Sequence, residues 1–560
     1  MGFLSSNALR RLGLILGNGL AVGILAWLLW DEGAAVAAES PRALPVLESL
    51  VGAAQAEPGA GGPGSVDGRQ PVATLSAPVG PISVPIVDAR PPLRRGVETA
   101  IANAVVEAAR RSKNKVSTGS ATIAVCVVDA KTGRELVGIQ ADRPLRPASN
   151  LKILTTAAAL VLLGSDASYE TPIESRGSLQ QGVLTGDLVA RAGGDPLFRQ
   201  NGDGGLEPWL DGLARELSHA GIRRVRGRLV LDEGSFEDPA PGPAWPSSRE
   251  YWKDYCALAG GFSANAGCLT ANVSATRSGS RADVAVRPRH HGLARRGEVE
   301  TVGSKAALNV AVGATATAVT VRGKIPSSVK HWDARFAAPD PVALFGSAVV
   351  GGLAERGIEI EGGYVRQRSA PGGKVVASMH SPISDSVIPI LTHSNNAVAD
   401  QLFLTLGLRV AGVGTRAGGA QAVGQALDQL GLERGGWKQV GGSGLSRDNR
   451  VSARQLCGLL QAARGVSGAA RELFDRGMPI AGETGTLASR MRKSVARGRV
   501  HAKTGFINGT SALSGWLTTE AGRELIFSIL VEYPTFEGLN THCWKPMQDR
   551  ICEELVDDVD

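Results

Sequence analysis

The chain has 560 residues, a net charge of +7, 43% hydrophobic and 20% charged residues. This is an ordinary globular composition, long enough for roughly two to four domains. Lys and Arg are spread along the chain without a dense basic block or interleaved aromatics, so no nucleic-acid partner is expected. The six cysteines form no C-x-x-C and no Cys/His cluster with zinc-like spacing, and the pair His290 and His291 in an Arg-rich stretch is a weak metal signal, so no metal site is expected. Cys256 and Cys268 are near enough in sequence to form a disulfide in an exported chain.

In chain order, Arg10 and Arg11 precede an apolar run over 12–30, and Ala35-Val36-Ala37 then reads as a small-residue cleavage site. Charge, apolar run and small residues in that order make residues 1–38 an export signal or membrane anchor. The chain is therefore expected in the periplasm or cell envelope, with membrane association depending on whether the segment is cut after Ala37. Residues 39–92 are rich in Pro, Gly and Ala and read as a linker.

Folded sequence is expected from Leu93. Residues 96–112 have helical spacing, 121–128 form a buried-strand run, and Asp129 to Gly133 turn the chain into a second strand. An apolar helix without a polar face is predicted over 151–163, which places it inside a domain. Residues 175–371 read as an inserted β-rich region, with short strands such as 228–231 between turn residues. Helical texture returns at 384–407 and 418–430, and two strands are expected at 512–518 and 524–531. Residues 93–174 and 372–560 thus make two parts of one α/β (α+β) domain around the insertion.

Acyl transfer at neutral pH needs a hydroxyl beside a base, and Ser and Lys at i and i+3 of a helix start project from one face. The chain has three such pairs. Ser112–Lys115 ends a surface helix and Ser327–Lys330 follows a proline in a loop, whereas Ser149 and Lys152 open the buried apolar helix. Context selects Ser149 and Lys152, against the alternative of a helix cap beside an exposed Lys. Lys-Thr-Gly occurs twice. Lys131-Thr132-Gly133 sits in a hairpin turn, while Lys503-Thr504-Gly505 precedes a long strand run and is the better candidate. Ser-x-Asn also appears more than once: Ser263–Asn265 lies in the insertion and Ser394–Asn396 at a helix junction, where a plain N-cap is the alternative reading.

The three selected motifs fall in the order Ser-x-x-Lys, Ser-x-Asn, Lys-Thr-Gly, the ordered set of penicillin-binding proteins and serine β-lactamases. Ser149 and Ser394 stand 245 positions apart in the numbering. With that gap, and with Arg146–Lys152, Gly186-Asp187-Leu188, Gly193–Pro196, Gly227–Asp232, Gly442–Ser446 and Gly482–Leu487, the chain from Leu93 onward resembles the low-molecular-mass class C penicillin-binding proteins. These are D-alanyl-D-alanine carboxypeptidases/endopeptidases. Two positions depart from the family pattern: Gly441 where Asp is usual, and Phe506-Ile507 where Thr-Leu is usual.

The resemblance implies a penicillin-binding-protein or serine β-lactamase-like transpeptidase domain and a serine-type carboxypeptidase acting on peptidoglycan stem peptides. In that reading Ser149 is the nucleophile and Lys152 its base. Ser394 relays a proton to the leaving amine and Asn396 orients peptide and Lys152. Lys503 and Thr504 bind the terminal carboxylate, Gly505 permits close approach, and the backbone N–H groups of Ser149 and Phe506 hold the oxyanion. No cofactor is implied, β-lactams are expected as inhibitors, and endopeptidase cleavage of cross-links would follow the same chemistry. The alternatives are a serine β-lactamase and a non-catalytic peptidoglycan-binding or sensor protein on this scaffold. No dedicated Glu motif after Ser-x-Asn marks the first, and the intact Ser/Lys/Asn set argues against the second.

Overall fold

The computed structural model describes residues 91–117, 119–198, 205–466 and 468–558. The export segment expected at 1–38 and residues 39–90 of the linker expected at 39–92 lie outside the described residues. Pro91 and Pro92, assigned to that linker, already open the helix Pro91–Arg111, because proline's fixed φ suits a first helical turn where no N–H is needed.

The centre is a five-stranded sheet in the order Val500–Ile507, Thr510–Thr518, Glu524–Glu532, Thr122–Asp129, Glu135–Ile139. Thr122–Asp129 is an almost unbroken apolar, β-branched run, which suits a central strand buried on both faces. It pairs antiparallel with Glu524–Glu532 from Thr122↔Glu532 to Asp129↔Leu525, so sequence ends meet in mid-sheet. Strand periodicity sends Ile123, Val125 and Val127 to one face, against Pro91–Arg111 and the C-terminal helix Lys545–Val556. Ala124, Cys126 and Val128 face the other side, against helices Leu151–Leu163, Asn396–Ala411, Arg416–Gln429 and Ala453–Gly465. The helix expected at 151–163 is observed as Leu151–Leu163, and its residues from Leu151 to Leu160 are all buried.

Beyond that helix, strand Ser168–Gln180 leads into a region with its own apolar core. Strand Lys374–Pro382 leads out and pairs antiparallel with the entry strand, Ser168 opposite Pro382. Zipping entry to exit keeps the two halves of the sheet domain adjacent despite the intervening chain. The seven-stranded sheet that holds this pair reaches beyond 175–371 at both ends.

Two helices stand where only strands were expected. Leu206–His219 buries Leu206, Trp209, Leu210, Leu213, Ala214 and Leu217, an i, i+3, i+4, i+7 stripe that was legible in the sequence. Pro341–Glu355 starts at an Asp340 cap whose carboxylate accepts from the Val342 and Ala343 N–H groups, with Pro341 at the first position. The helical texture at 384–407 is two helices, Val387–Leu391 and Asn396–Ala411, broken at the Ser-x-Asn motif.

Candidate active site

Ser149 lies in the single turn Ala148–Asn150 that opens the Leu151–Leu163 helix. Ala148 is held at φ +46°, a strained value for a residue with a side chain. This twist sets Ser149, half-buried, at the mouth of the site, one helical turn from Lys152. Lys152 is fully buried. Its Nζ donates to Ser149 Oγ at 3.0 Å, to Asn396 Oδ1 at 2.7 Å and to the Ser443 carbonyl at 2.5 Å. Three acceptors match the three donors of an ammonium. Burial pushes the Lys152 ammonium down to about 7, against the opposing pull of Asp400.

Ser394 sits in the break between the two helices at φ +60°, a second strained non-glycine residue beside Ser149 and Lys152. The cap of the following helix is its neighbour Asn395, whose Oδ1 accepts from the Val398 N–H at 3.1 Å. Ser394 is therefore free of the capping role that its position alone suggested. Lys503 is fully buried, and its Nζ donates to Ser394 Oγ at 2.8 Å and to the Thr504 carbonyl at 3.0 Å. Burial, reinforced by the nearby Lys152 charge, holds the Lys503 ammonium well below the usual lysine range. Two lysines thus converge on two hydroxyls, Lys152 on Ser149 and Lys503 on Ser394.

Val500–Ile507 is the edge strand of the central sheet. Its outer edge is covered at the start, where Ala502 N–H bonds to the Pro479 carbonyl and Ala481 N–H to the Val500 carbonyl. From Lys503 onward the strand lies beside the Ser149 turn. A Cβ at Gly505 would stand 2.8 Å from the Pro147 carbonyl and 3.1 Å from Asn150 Oδ1, so only glycine permits this approach. Thr504 Oγ1 donates to Thr486 Oγ1 at 2.8 Å, and the Phe506 side chain is 51% exposed at the rim.

Seven of the sequence-selected residues thus gather at one place, Ser149, Lys152, Ser394, Asn396, Lys503, Thr504 and Gly505, and Phe506 follows Gly505 on the same edge strand. Four others take part without having been assigned a role. Ser443 supplies a carbonyl to Lys152, Tyr255 a carbonyl to Asn396 Nδ2 at 2.8 Å, and Thr486 a hydroxyl to Thr504. Asp400, half-buried, accepts from the Gly442 and Ser443 N–H groups at 2.7 and 2.9 Å. Its signal in the sequence was an acid placed among apolar residues of a buried helix; the backbone partners left no signal, since a carbonyl is common to every residue.

The rejected motif copies lie elsewhere. Asp129 Oδ1 accepts from the Lys131 and Thr132 N–H groups and Gly133 has φ +70°, so the first Lys-Thr-Gly is a turn. Asn265 Nδ2 donates to the Cys268 carbonyl at 3.0 Å within the inserted region. The six cysteines are buried free thiols, Cys256 and Cys268 included. Among the described residues no His/Cys/Asp/Glu group is arranged to hold a metal, and His290 pairs with Glu355 at 2.9 Å.

The family profile of the D-Ala-D-Ala carboxypeptidase 3 (S13) family matches residues 109–547. The chain belongs to this family. As a family member it is a serine-type D-Ala-D-Ala carboxypeptidase, in agreement with the motif-based resemblance. It is 32% identical over 424 residues to the D-alanyl-D-alanine carboxypeptidase of an Actinomadura species, covering 72% of this chain and 77% of that one. It is 28% identical over 488 residues to Carboxypeptidase DacB of Mycolicibacterium smegmatis, covering 85% and 86%. Its fold matches the crystal structure of penicillin binding protein 4 (dacB) from Haemophilus influenzae with a TM-score of 0.66 at 23% identity, covering 79% of this chain and 96% of that one.

Proposed function

We propose that this carboxypeptidase hydrolyses peptidoglycan stem peptides through an acyl-enzyme on Ser149. The observation that carries the assignment is the pair of lysine–serine contacts, Lys152 Nζ on Ser149 Oγ and Lys503 Nζ on Ser394 Oγ. With its ammonium near 7, Lys152 is available as a free amine at neutral pH and takes the Ser149 proton. Ser149 Oγ then bonds to the penultimate D-alanine carbonyl carbon, whose oxyanion is received by the Ser149 and Phe506 N–H groups. As the C–N bond breaks, Ser394 hands a proton to the departing D-alanine and regains one through Lys503 and Lys152. Lys503 and Thr504 hold the terminal carboxylate, and Asn396 holds the peptide and Lys152. Water then attacks the acyl carbon as Lys152 takes its proton, the bond from that carbon to Ser149 Oγ breaks, and Lys152 returns the proton to Oγ.

β-Lactams enter the same site and acylate Ser149. We place the working enzyme outside the cytoplasmic membrane, delivered by residues 1–38, because its substrate is there. The arrangement also favours the division into a sheet domain and an inserted body, with the inserted body running from Ser168 to Pro382, the ends of its entry and exit strands, and not from 175 to 371.

The experiment is labelling with a fluorescent penicillin, paired with D-alanine release from a muropeptide. Wild type labels and releases D-alanine, and Ser149→Ala does neither. Equal labelling of both proteins overturns the assignment of Ser149, and rapid multiple turnover of a chromogenic cephalosporin makes the chain a β-lactamase.

A further inference from the structure

Asp400 lies one helical turn after Asn396, so both side chains leave the same face of the Asn396–Ala411 helix. The loop Gly441–Ser446 is wedged between that face and the Ser149 turn. A Cβ at Gly442 would stand 2.1 Å from the Ala399 carbonyl, and one at Gly444, where φ is +82°, would stand 1.9 Å from the Ala148 carbonyl. Asp400 Oδ1 accepts from the Gly442 and Ser443 N–H groups, and the carbonyl of Ser443 accepts from Lys152 Nζ. The carboxylate is therefore joined to the buried ammonium through the backbone of a single residue, Ser443, and with Asp400 Oδ2 shielded from solvent their charges interact strongly.

We infer that Asp400 is a positioning residue for the base: it fixes the Ser443 carbonyl against Lys152, and its negative charge favours the ammonium form of that lysine. The inference rests on the proposed role of Lys152. The other groups facing Lys152 are Ser149 on its own turn, Asn396 on the adjacent helix, the Ser443 carbonyl on the loop and Lys503 on the edge strand. Only Asp400 among these is an anion. Burial raises the Asp400 carboxyl above its ordinary range, while the Ser443 hydroxyl, the Lys152 charge and the two backbone N–H donors draw it back. Lys152 is correspondingly held up by Asp400 against its own burial.

The test is the pH dependence of the second-order rate of penicillin acylation in wild type, Asp400→Asn and Asp400→Glu. Asn keeps an oxygen acceptor for the two N–H groups and removes the charge. Its acid limb moves to lower pH by roughly 1 unit, since Lys152 then loses its proton more readily. Glu keeps the charge, so its limb stays with wild type while its rate falls because the loop is displaced. An Asp400→Asn limb that coincides with wild type overturns the inference. Labelling of Ser149 in the same samples is read separately, so a failure of the Ser149 assignment is distinguishable. If Asp400→Asn does not fold, 13C NMR of labelled aspartate in wild type decides. Asp400 must stay ionised across the acid limb, and a protonated carboxyl there overturns the inference.

Discussion

Asn396 Nδ2 donates to the Tyr255 carbonyl at 2.8 Å, across 141 residues of sequence. The same side chain accepts from Lys152 through Oδ1. One amide therefore ties the inserted region to the proposed base, and its orientation is fixed from both ends. Asn396→Ala leaves a buried Lys152 short of one acceptor and removes a bond to the insertion. The expected result is a loss of roughly 100-fold or more in kcat/KM, in line with removal of one oriented polar group from an acyl-transfer site. Steady-state hydrolysis of a D-alanyl-D-alanine peptide, with circular dichroism to show a retained fold, measures this.

The lowered Lys152 value has a definite sign. Below about pH 7 Lys152 is an ammonium and cannot accept the Ser149 proton; above it the free amine can. Acylation of wild type should therefore rise through about pH 7 and level off. Lys152→Arg keeps a cation that does not deprotonate in this range, so it should stay unlabelled at every pH tested. Stopped-flow acylation from pH 5 to about 9 is the measurement, a window set by the lysine values.

Gly444 tests the loop that carries Ser443. Alanine there meets both an unfavourable φ and the Ala148 carbonyl. Gly444→Ala should lower stability by roughly 1–3 kcal/mol and slow acylation, because the Ser149 turn and the Ser443 carbonyl are displaced together. Gly435→Ala is the control, since nothing lies within 4 Å of a Cβ at that position, and its effect should stay within about 0.5 kcal/mol. Thermal melts and penicillin labelling of both variants compare them.

The two Lys-Thr-Gly copies separate cleanly. Lys131 is exposed on a turn, and Lys131→Ala should label and hydrolyse as wild type does. Lys503→Ala removes a charged donor from the proposed carboxylate site. The loss of about 1.5–3 kcal/mol expected for a hydrogen bond to a charged group corresponds to a fall of roughly 10- to 100-fold in kcat/KM. A Lys131→Ala enzyme as impaired as Lys503→Ala would reverse the choice between the copies.

Local patterns carried a large share of this enzyme. The apolar run at 151–163, the buried strand before Asp129 and the paired strands near the C-terminus are set by residue periodicity and burial, which act within a few residues. Motif order and the long gap before Ser394 were enough to reach the family and its chemistry, because each motif's residue types are imposed by acyl transfer itself. The helices at Leu206–His219 and Pro341–Glu355 were masked by surrounding β texture, although their stripe and cap are present. The contacts that complete the site were beyond reach. Tyr255 and Ser443 contribute backbone carbonyls, and any residue type supplies those, so only the packing of distant segments brings them to Asn396 and Lys152. The choice of Asn395 rather than Ser394 as helix cap was likewise decided by tertiary structure. Both residues can cap a helix, and only the strained backbone at Ser394 turns its hydroxyl to Lys503.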